Sequence, residues 1–338
     1  MGGTSVHRGQ VGGEGGGKNL LSLLEVVHLC HNCHEPQLDP NLHSFLVDGV
    51  RFGYIIPSVY AQIQKEVTSS SSPSERAIRL IAPSSATASS TGTQSVLGAV
   101  TFSDWCQTPD QRSTALQSLA EKWKKEGLFP YQLGGWRNEL YAIWGPGHTV
   151  AFRLERAACA LWGVATFGVH LNGYTPDMRV WIPRRAANKA TWPSYLDNTV
   201  AGGITAGDSQ GESIVRECWE EAGFPEDLVR KHIKATGVIT YVHKTDDGFV
   251  QPEIEYTYDL ALPSADILPQ PVDGEAEAFE LMSFEQIITL LRQARFKPNC
   301  ALVLIDFYIR HGLITAESEP DYVEIVAKLH KSLGLPMP

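Results

Sequence analysis

The sequence predicts an α/β protein in two parts, on three observations. From Arg179 onward, strand-like and helix-like stretches alternate, the pattern of a layered α/β domain. A separate set of strand and helix signals fills residues 18–147. Between them stands the punctuation Gly145-Pro146-Gly147, where we expect the boundary. The chain has 338 residues, long enough for two cores.

Residues 1–17 are Gly-rich and read as a disordered tail. Leu20 to His31 reads as a helix. Residues 45–54 read as a strand, a turn and a second strand. Pro57 suits the first turn of a helix running to about Glu66. Ser/Thr-rich runs at 68–75 and 83–95 read as solvated loops. Ser113 to Lys125 is amphipathic, with Leu116, Leu119, Ala120 and Trp123 at spacings of three and four. Leu140 to Trp144 then reads as a strand. In the second part, Arg179 to Ile182 is a strand and Ser209 to Ala222 a helix. Gly237 to His243 and Ile254 to Leu262 are strands around the polar turn at 245–248. Ser283 to Ala294 and Cys300 to His311 are helices.

Composition narrows the function. Hydrophobic residues make up 43% and charged residues 20%, which places the chain among globular proteins. The formal net charge of -10 opposes binding to a phosphate backbone, so no nucleic-acid partner is expected. The longest uncharged apolar stretch, Ala157 to Val169, is too short to span a bilayer. Cys30, Cys33, Cys106, Cys159, Cys218 and Cys300 are too sparse for a disulfide scaffold. The Gly-rich start lacks an apolar secretory segment, and Val6 departs from the myristoylation pattern. We therefore expect a cytoplasmic protein with reduced thiols, a monomer or homodimer.

The chemistry is carried by residues 202–224. Ser209 with Glu212 is a capping box, Gly223 is a C′ residue and Pro225 blocks continuation, so a helix of about 13 residues is fixed locally. Glu217 and Glu221 are four apart, and Glu220 lies beside them. Crowded like charges destabilise a helix. Arg216 is the one cation near them in the helix. Such a face suits a hard divalent cation with oxygen ligands, and Mg²⁺ pairs readily with phosphate oxygens. Ile214, Val215, Cys218, Trp219 and Ala222 are offered to a core. Gly202 and Gly203 let backbone approach a phosphate or metal, and the helix N-terminus presents free N–H groups.

This segment resembles the Nudix box: Gly, five residues, Glu, seven residues, then Arg-Glu-apolar-x-Glu-Glu-x-Gly-apolar. Gly202, Arg216, Glu217, Cys218, Glu220, Glu221, Gly223 and Phe224 fall in register, while Asp208 stands where the family usually has its first Glu. Residues 135–141, 168–174, 196–203 and 296–302 are similar to a two-part Nudix subgroup of fungi, plants and bacteria, often labelled thiamine pyrophosphokinase-related. The resemblance implies a Nudix α/β/α sandwich with a mixed sheet over residues 148–338, preceded by a small α+β domain. It also implies hydrolysis of thiamine diphosphate, or oxidised analogues, to the monophosphate. The kinase label lacks a physical basis, since the sequence holds no P-loop.

On this reading Glu217, Glu220, Glu221 and the carbonyl of Gly202 hold Mg²⁺, with Mn²⁺ as an alternative, and Arg216 orients the glutamates. A later acidic residue completes the site or acts as base. Glu275 and Glu277 are the candidates, with Glu280, Glu253 and Glu255 as competitors. Arg185 and Lys189, in a basic stretch with Arg184, are candidates for the terminal phosphate. Trp136, Tyr141, Trp144, Tyr174 and Trp192 could stack on a heteroaromatic ring, Trp136 and Trp192 foremost, although each suits a core as well. Competing readings are another nucleoside diphosphate-linked substrate, a binding module that does not cleave, and isopentenyl diphosphate isomerisation, for which no Cys–Glu pair is evident. The stretch from His28 to His34 has C-x-x-C spacing with flanking histidines, but no second Cys/His pair at finger spacing. It reads as a helix end rather than a zinc site.

Overall fold

The computed structural model describes residues 20–69, 76–83 and 98–338. The expected tail at 1–17 and most of both Ser/Thr-rich runs lie outside these residues. The first unit holds a four-stranded sheet in the order β2-β1-β4-β3. Its strands are β1 (His43–Val47), β2 (Val50–Ile55), β3 (Ile78–Ile81) and β4 (Ala99–Phe102). Asp48 and Gly49, both at positive φ, turn β1 into β2. Against this sheet pack α2 (Pro57–Ser69) and α3 (Pro109–Lys125), through Val59, Ile63, Leu116, Ala120 and Trp123. The expected helix at Ser113 begins one turn earlier, because Thr108 caps Gln111 and Gln111 caps back.

A short α4 (Pro130–Leu133) leads into the hairpin β5 (Leu140–Gly145) and β6 (Thr149–Glu155). The expected boundary near residue 147 falls on the turn of this hairpin. Ile143 before it and Phe152 after it share one core with Phe45 and Trp123. We propose that the division lies nearer residue 165, after α5 (Cys159–Trp162).

The second unit is a six-stranded mixed sheet, β10-β11-β7-β8-β12, with β9 paired to β7. Its strands are β7 (Thr166–Tyr174), β8 (Val180–Arg185), β9 (Val200–Gly203), β10 (Ile233–Lys244), β11 (Val250–Ala261) and β12 (Ala276–Met282). Only β7 and β11 run parallel to each other; the remaining pairs are antiparallel. One face packs on α6 (Gln210–Ala222) and α7 (Glu226–His232), through Val169, Leu171, Val200, Ile214, Cys218 and Val229. The other packs on α8 (Phe284–Arg292), α9 (Pro298–Arg310) and α10 (Tyr322–Leu329). This is the expected α/β/α sandwich.

The amino-terminal helix α1 (Leu23–Cys30) departs from its expected place. Leu23, Val26, Val27 and Cys30 join the second unit's core, against α8, α9 and α10. Its apolar face finds a larger apolar surface there. Cys30 and Cys33 are both buried, but in different clusters, so the C-x-x-C spacing makes no paired thiol site.

Candidate active site

The fold of α6 is set locally. Ser209 accepts from the Glu212 N–H at 3.2 Å, and Gly223 closes the helix at φ +66°. Only half of the expected capping box forms: the Glu212 carboxylate turns instead to Arg230, at 2.7 Å.

The three helix glutamates are not equivalent. Glu217 lies over Gly202 so closely that any Cβ there would overlap its carboxylate. Glu221 reaches the sheet and accepts from the Ala201 N–H at 2.9 Å. Glu220 is exposed. Arg216 bonds Asp208 at 2.5 Å and stands 3.7 Å from Glu217. The shorter acid at 208 thus still reaches its cation, and Arg216 spans from it to Glu217. Tyr141 covers Gly203, whose missing Cβ leaves room for the phenol.

A second chain segment meets this helix. Single oxygens of Glu221, Asp273 and Glu275 lie within 4.8 Å of one another, a set of hard oxygen donors sized for a divalent cation. The expected late acidic residue Glu275 is therefore beside the helix, together with Asp273, which the sequence reading did not single out. Both flank Gly274 at φ +77°, and Asp273 accepts from the Glu275 N–H at 2.8 Å. A sequence signal did exist, since an Asp-Gly pair marks a tight turn.

Electrostatics agree with a site built for a cation. Burial above all, then the charges of Glu220, Glu139 and Glu275, push Glu217 up to about 7 against the pull of Arg216. Burial also raises Glu221 well above the usual carboxylate range, although the Ala201 N–H opposes it. A dication among these groups reverses that penalty. Glu275 shifts the other way: despite its burial, Lys189 at 2.7 Å, and Arg137 and Arg185 farther off, hold it below its ordinary value.

Several expected residues are committed elsewhere. Arg185 is tied to Asp197 at 2.6 Å and to the carbonyls of Thr191 and Trp192, so its guanidinium is spent on holding its own loop. Lys189 is on Glu275. Arg184 bonds the Ser194 carbonyl. Glu277 accepts from the Ala187 N–H at 2.9 Å and serves that turn. The Trp136 indole bonds Asn138 while Lys124 caps its ring at 4.5 Å, so one face is already engaged. Trp192 stacks edge-on against Tyr195. Glu253 and Glu255 of β11 form a buried network with Tyr241, His170 and Asn299, and Glu255 reaches Gly168 beside the Gly202 carbonyl.

Comparison with known proteins bears on both units. The family model described as NUDIX domain matches residues 166–301, and one described as a domain of unknown function, DUF4743, matches residues 23–166. The uncharacterized protein YJR142W of Saccharomyces cerevisiae is 41% identical over 242 residues, covering 67% of this chain and 70% of that one. Nudix hydrolase 20, chloroplastic, of Arabidopsis thaliana is 37% identical over 237 residues, covering 69% of this chain. Residues 166–301 of this chain are a Nudix domain. It covers 61% of the Arabidopsis Nudix hydrolase, less than two thirds of that protein's length. Among solved structures, DR0079 from Deinococcus radiodurans aligns with a TM-score of 0.39 and 18% identity, over 50% of this chain and 99% of that one. Nudix domains generally work with divalent metals. No helix among the described residues is long and apolar enough to cross a membrane.

Proposed function

We propose that this Nudix hydrolase converts thiamine diphosphate, or an oxidised or damaged analogue, to the monophosphate. The observation that carries the hydrolytic reading is the convergence of Glu217, Glu221, Asp273 and Glu275 beside Gly202. The thiamine reading is supported by the resemblance of residues 135–141, 168–174, 196–203 and 296–302 to the subgroup named above.

Mg²⁺, or Mn²⁺ in its place, supplies charge neutralisation along the diphosphate when bound. Glu217, Glu220, Glu221 and the carbonyl of Gly202 are the residues that would hold it, with Asp273 added to the expected set. Arg216 keeps Glu217 in place and Asp208 keeps Arg216 in place. Gly202 and Gly203, lacking Cβ atoms, let the Glu217 carboxylate and the Tyr141 phenol lie against the backbone of β9. Glu275, ionised through Lys189, accepts the proton of a water that attacks the terminal phosphorus. The bond from that phosphorus to the bridging oxygen breaks, releasing inorganic phosphate and the monophosphate. We place the activity in the cytoplasm, supported by six buried, unpaired cysteines.

A phosphate-release screen with Mg²⁺ over thiamine diphosphates, sugar nucleotides and dinucleoside polyphosphates tests the reading. Thiamine-type substrates should give the highest kcat/KM, and Glu220→Gln should lower it by more than about 100-fold, beyond the usual cost of losing a supporting outer residue. Wild-type turnover by that variant removes the site assignment. Faster turnover of sugar nucleotides removes thiamine as the substrate.

A further inference from the structure

Two segments meet at Glu275, and backbone bonds fix how. The turn after β8 lies along the start of β12. The Ala186 N–H donates to the Glu275 carbonyl at 2.9 Å, and the Ala187 N–H to the Glu277 carboxylate at 2.9 Å. The Lys189 N–H closes the turn on the Ala186 carbonyl at 3.2 Å. Strand pairing sets Arg185 opposite Ala276. Just before β12, the Glu275 N–H donates to Asp273 at 2.8 Å. Lys189 is therefore delivered to Glu275 by the backbone, and its ammonium bonds Oε2 there at 2.7 Å. The lysine side chain is 16% exposed, so this is no ordinary solvent-screened surface pair.

The same carboxylate belongs to the trio of Glu221, Asp273 and Glu275, whose single oxygens lie within 4.8 Å of one another. A dication held by that trio and the Lys189 ammonium would both draw on Glu275. Two cations on one carboxylate lie well inside the Debye length of about 8 Å, so salt does not screen one from the other. The protein's own cation thus opposes the metal. An ammonium on a flexible four-carbon stem can exchange one oxyanion for another without moving its backbone. A diphosphate bound to the metal would bring anionic oxygens to these carboxylates, and so to the ammonium. Lys189 then has two oxyanions to choose between, of which Glu275 is the one the structure shows.

We propose that Lys189 is a counterion shared between Glu275 and the substrate's phosphate, so that metal and diphosphate bind cooperatively. Without substrate the ammonium weakens metal binding. When the diphosphate takes the ammonium over, that opposition ends, and by linkage metal and phosphate strengthen each other equally. This rests on the diphosphate-hydrolase reading, and the experiment separates the two. Mn²⁺ alone is titrated into wild type, Lys189→Met and Lys189→Gln, read by water-proton relaxation. Methylenediphosphonate, a diphosphate that does not hydrolyse, is titrated into each as its preformed Mg²⁺ complex, read by calorimetry. We expect effects of opposite sign. The variants should bind Mn²⁺ alone about tenfold more tightly and the diphosphonate complex at least about threefold more weakly. A lysine that only orients Glu275 would weaken metal binding when removed, and one that only fixes the turn would weaken both. Mn²⁺ binding no tighter than wild type in a folded variant therefore overturns the proposal. So does binding of the complex no weaker than wild type, or failure of both variants to fold, which would make Lys189 structural. A wild-type protein that binds neither Mn²⁺ nor the diphosphonate complex sinks the underlying function instead.

Discussion

At the scale of single residues, the site is a matter of which acid each cation holds. The helix glutamates were legible because spacing on one helix fixes which side chains share a face. Asp273 and the partners of Arg185 and Lys189 were not, since those contacts join segments far apart in sequence and depend on the turn at Gly274. Asp208 illustrates the difference. The sequence marks it as a conservative departure, while the structure shows its use, a 2.5 Å bond that fixes Arg216 beside Glu217. Asp208→Ala leaves that guanidinium free to collapse onto the helix glutamates. We expect kcat to fall by about 10–100-fold, the range for losing an outer-shell partner. Asp208→Glu should retain most of the rate, because it keeps the charge. Steady-state kinetics at saturating Mg²⁺ check this, and an unchanged rate for Asp208→Ala would show that Arg216 needs no partner.

At the scale of elements, helices with local caps were read well and sheet edges poorly. Ser209, Ser283 and Pro298 each start a helix by local chemistry. By contrast β7 is covered on both faces and shows no alternation, so it hid inside an apolar stretch. The acidic β12 passed for a loop, because its pairing with β8 is non-local. Contacts between elements bring a pH dependence that no single segment reveals. His330, at the end of α10, faces an acceptor with each ring nitrogen: Asp306 of α9 at 3.3 Å and the Val238 carbonyl of β10 at 2.9 Å. The Asp306 contact foremost raises its pKa above about 6.5, against desolvation and the charge of Arg310. A raised folded pKa means the imidazolium stabilises the fold fully below about pH 6.5, and that this contribution is lost as pH rises through the folded value. Denaturant unfolding between pH 5 and pH 9 should therefore show stability declining on the alkaline side, with His330→Gln flattening that limb. An unchanged slope in the variant would exclude His330 as its source.

At the scale of the whole molecule, the two units exchange parts. Helix α1, from the start of the described chain, packs into the second core, and the segment after it is zipped to β10 by Cys33 N–H to Val242 O and by Asn32 to Lys244. In return, Phe249 at the tip of the β10–β11 hairpin is buried in the first core, edge-on to Phe129. Neither exchange could be read from composition or periodicity, because each side chain looks like an ordinary core residue of its own unit. The exchange has a thermodynamic consequence. If Phe249 is shared, removing it weakens the first core through a residue that belongs to the second, and the two should lose stability together. Phe249→Ala is expected to cost about 3–5 kcal/mol, as for other buried Phe truncations. Urea unfolding followed by tryptophan fluorescence, which Trp123 and Trp162 of the first core and Trp181 of the second both report, should show one transition shifted as a unit. Two separated transitions, with only the first displaced, would mean that the units fold independently and that the exchanged parts join them by docking alone.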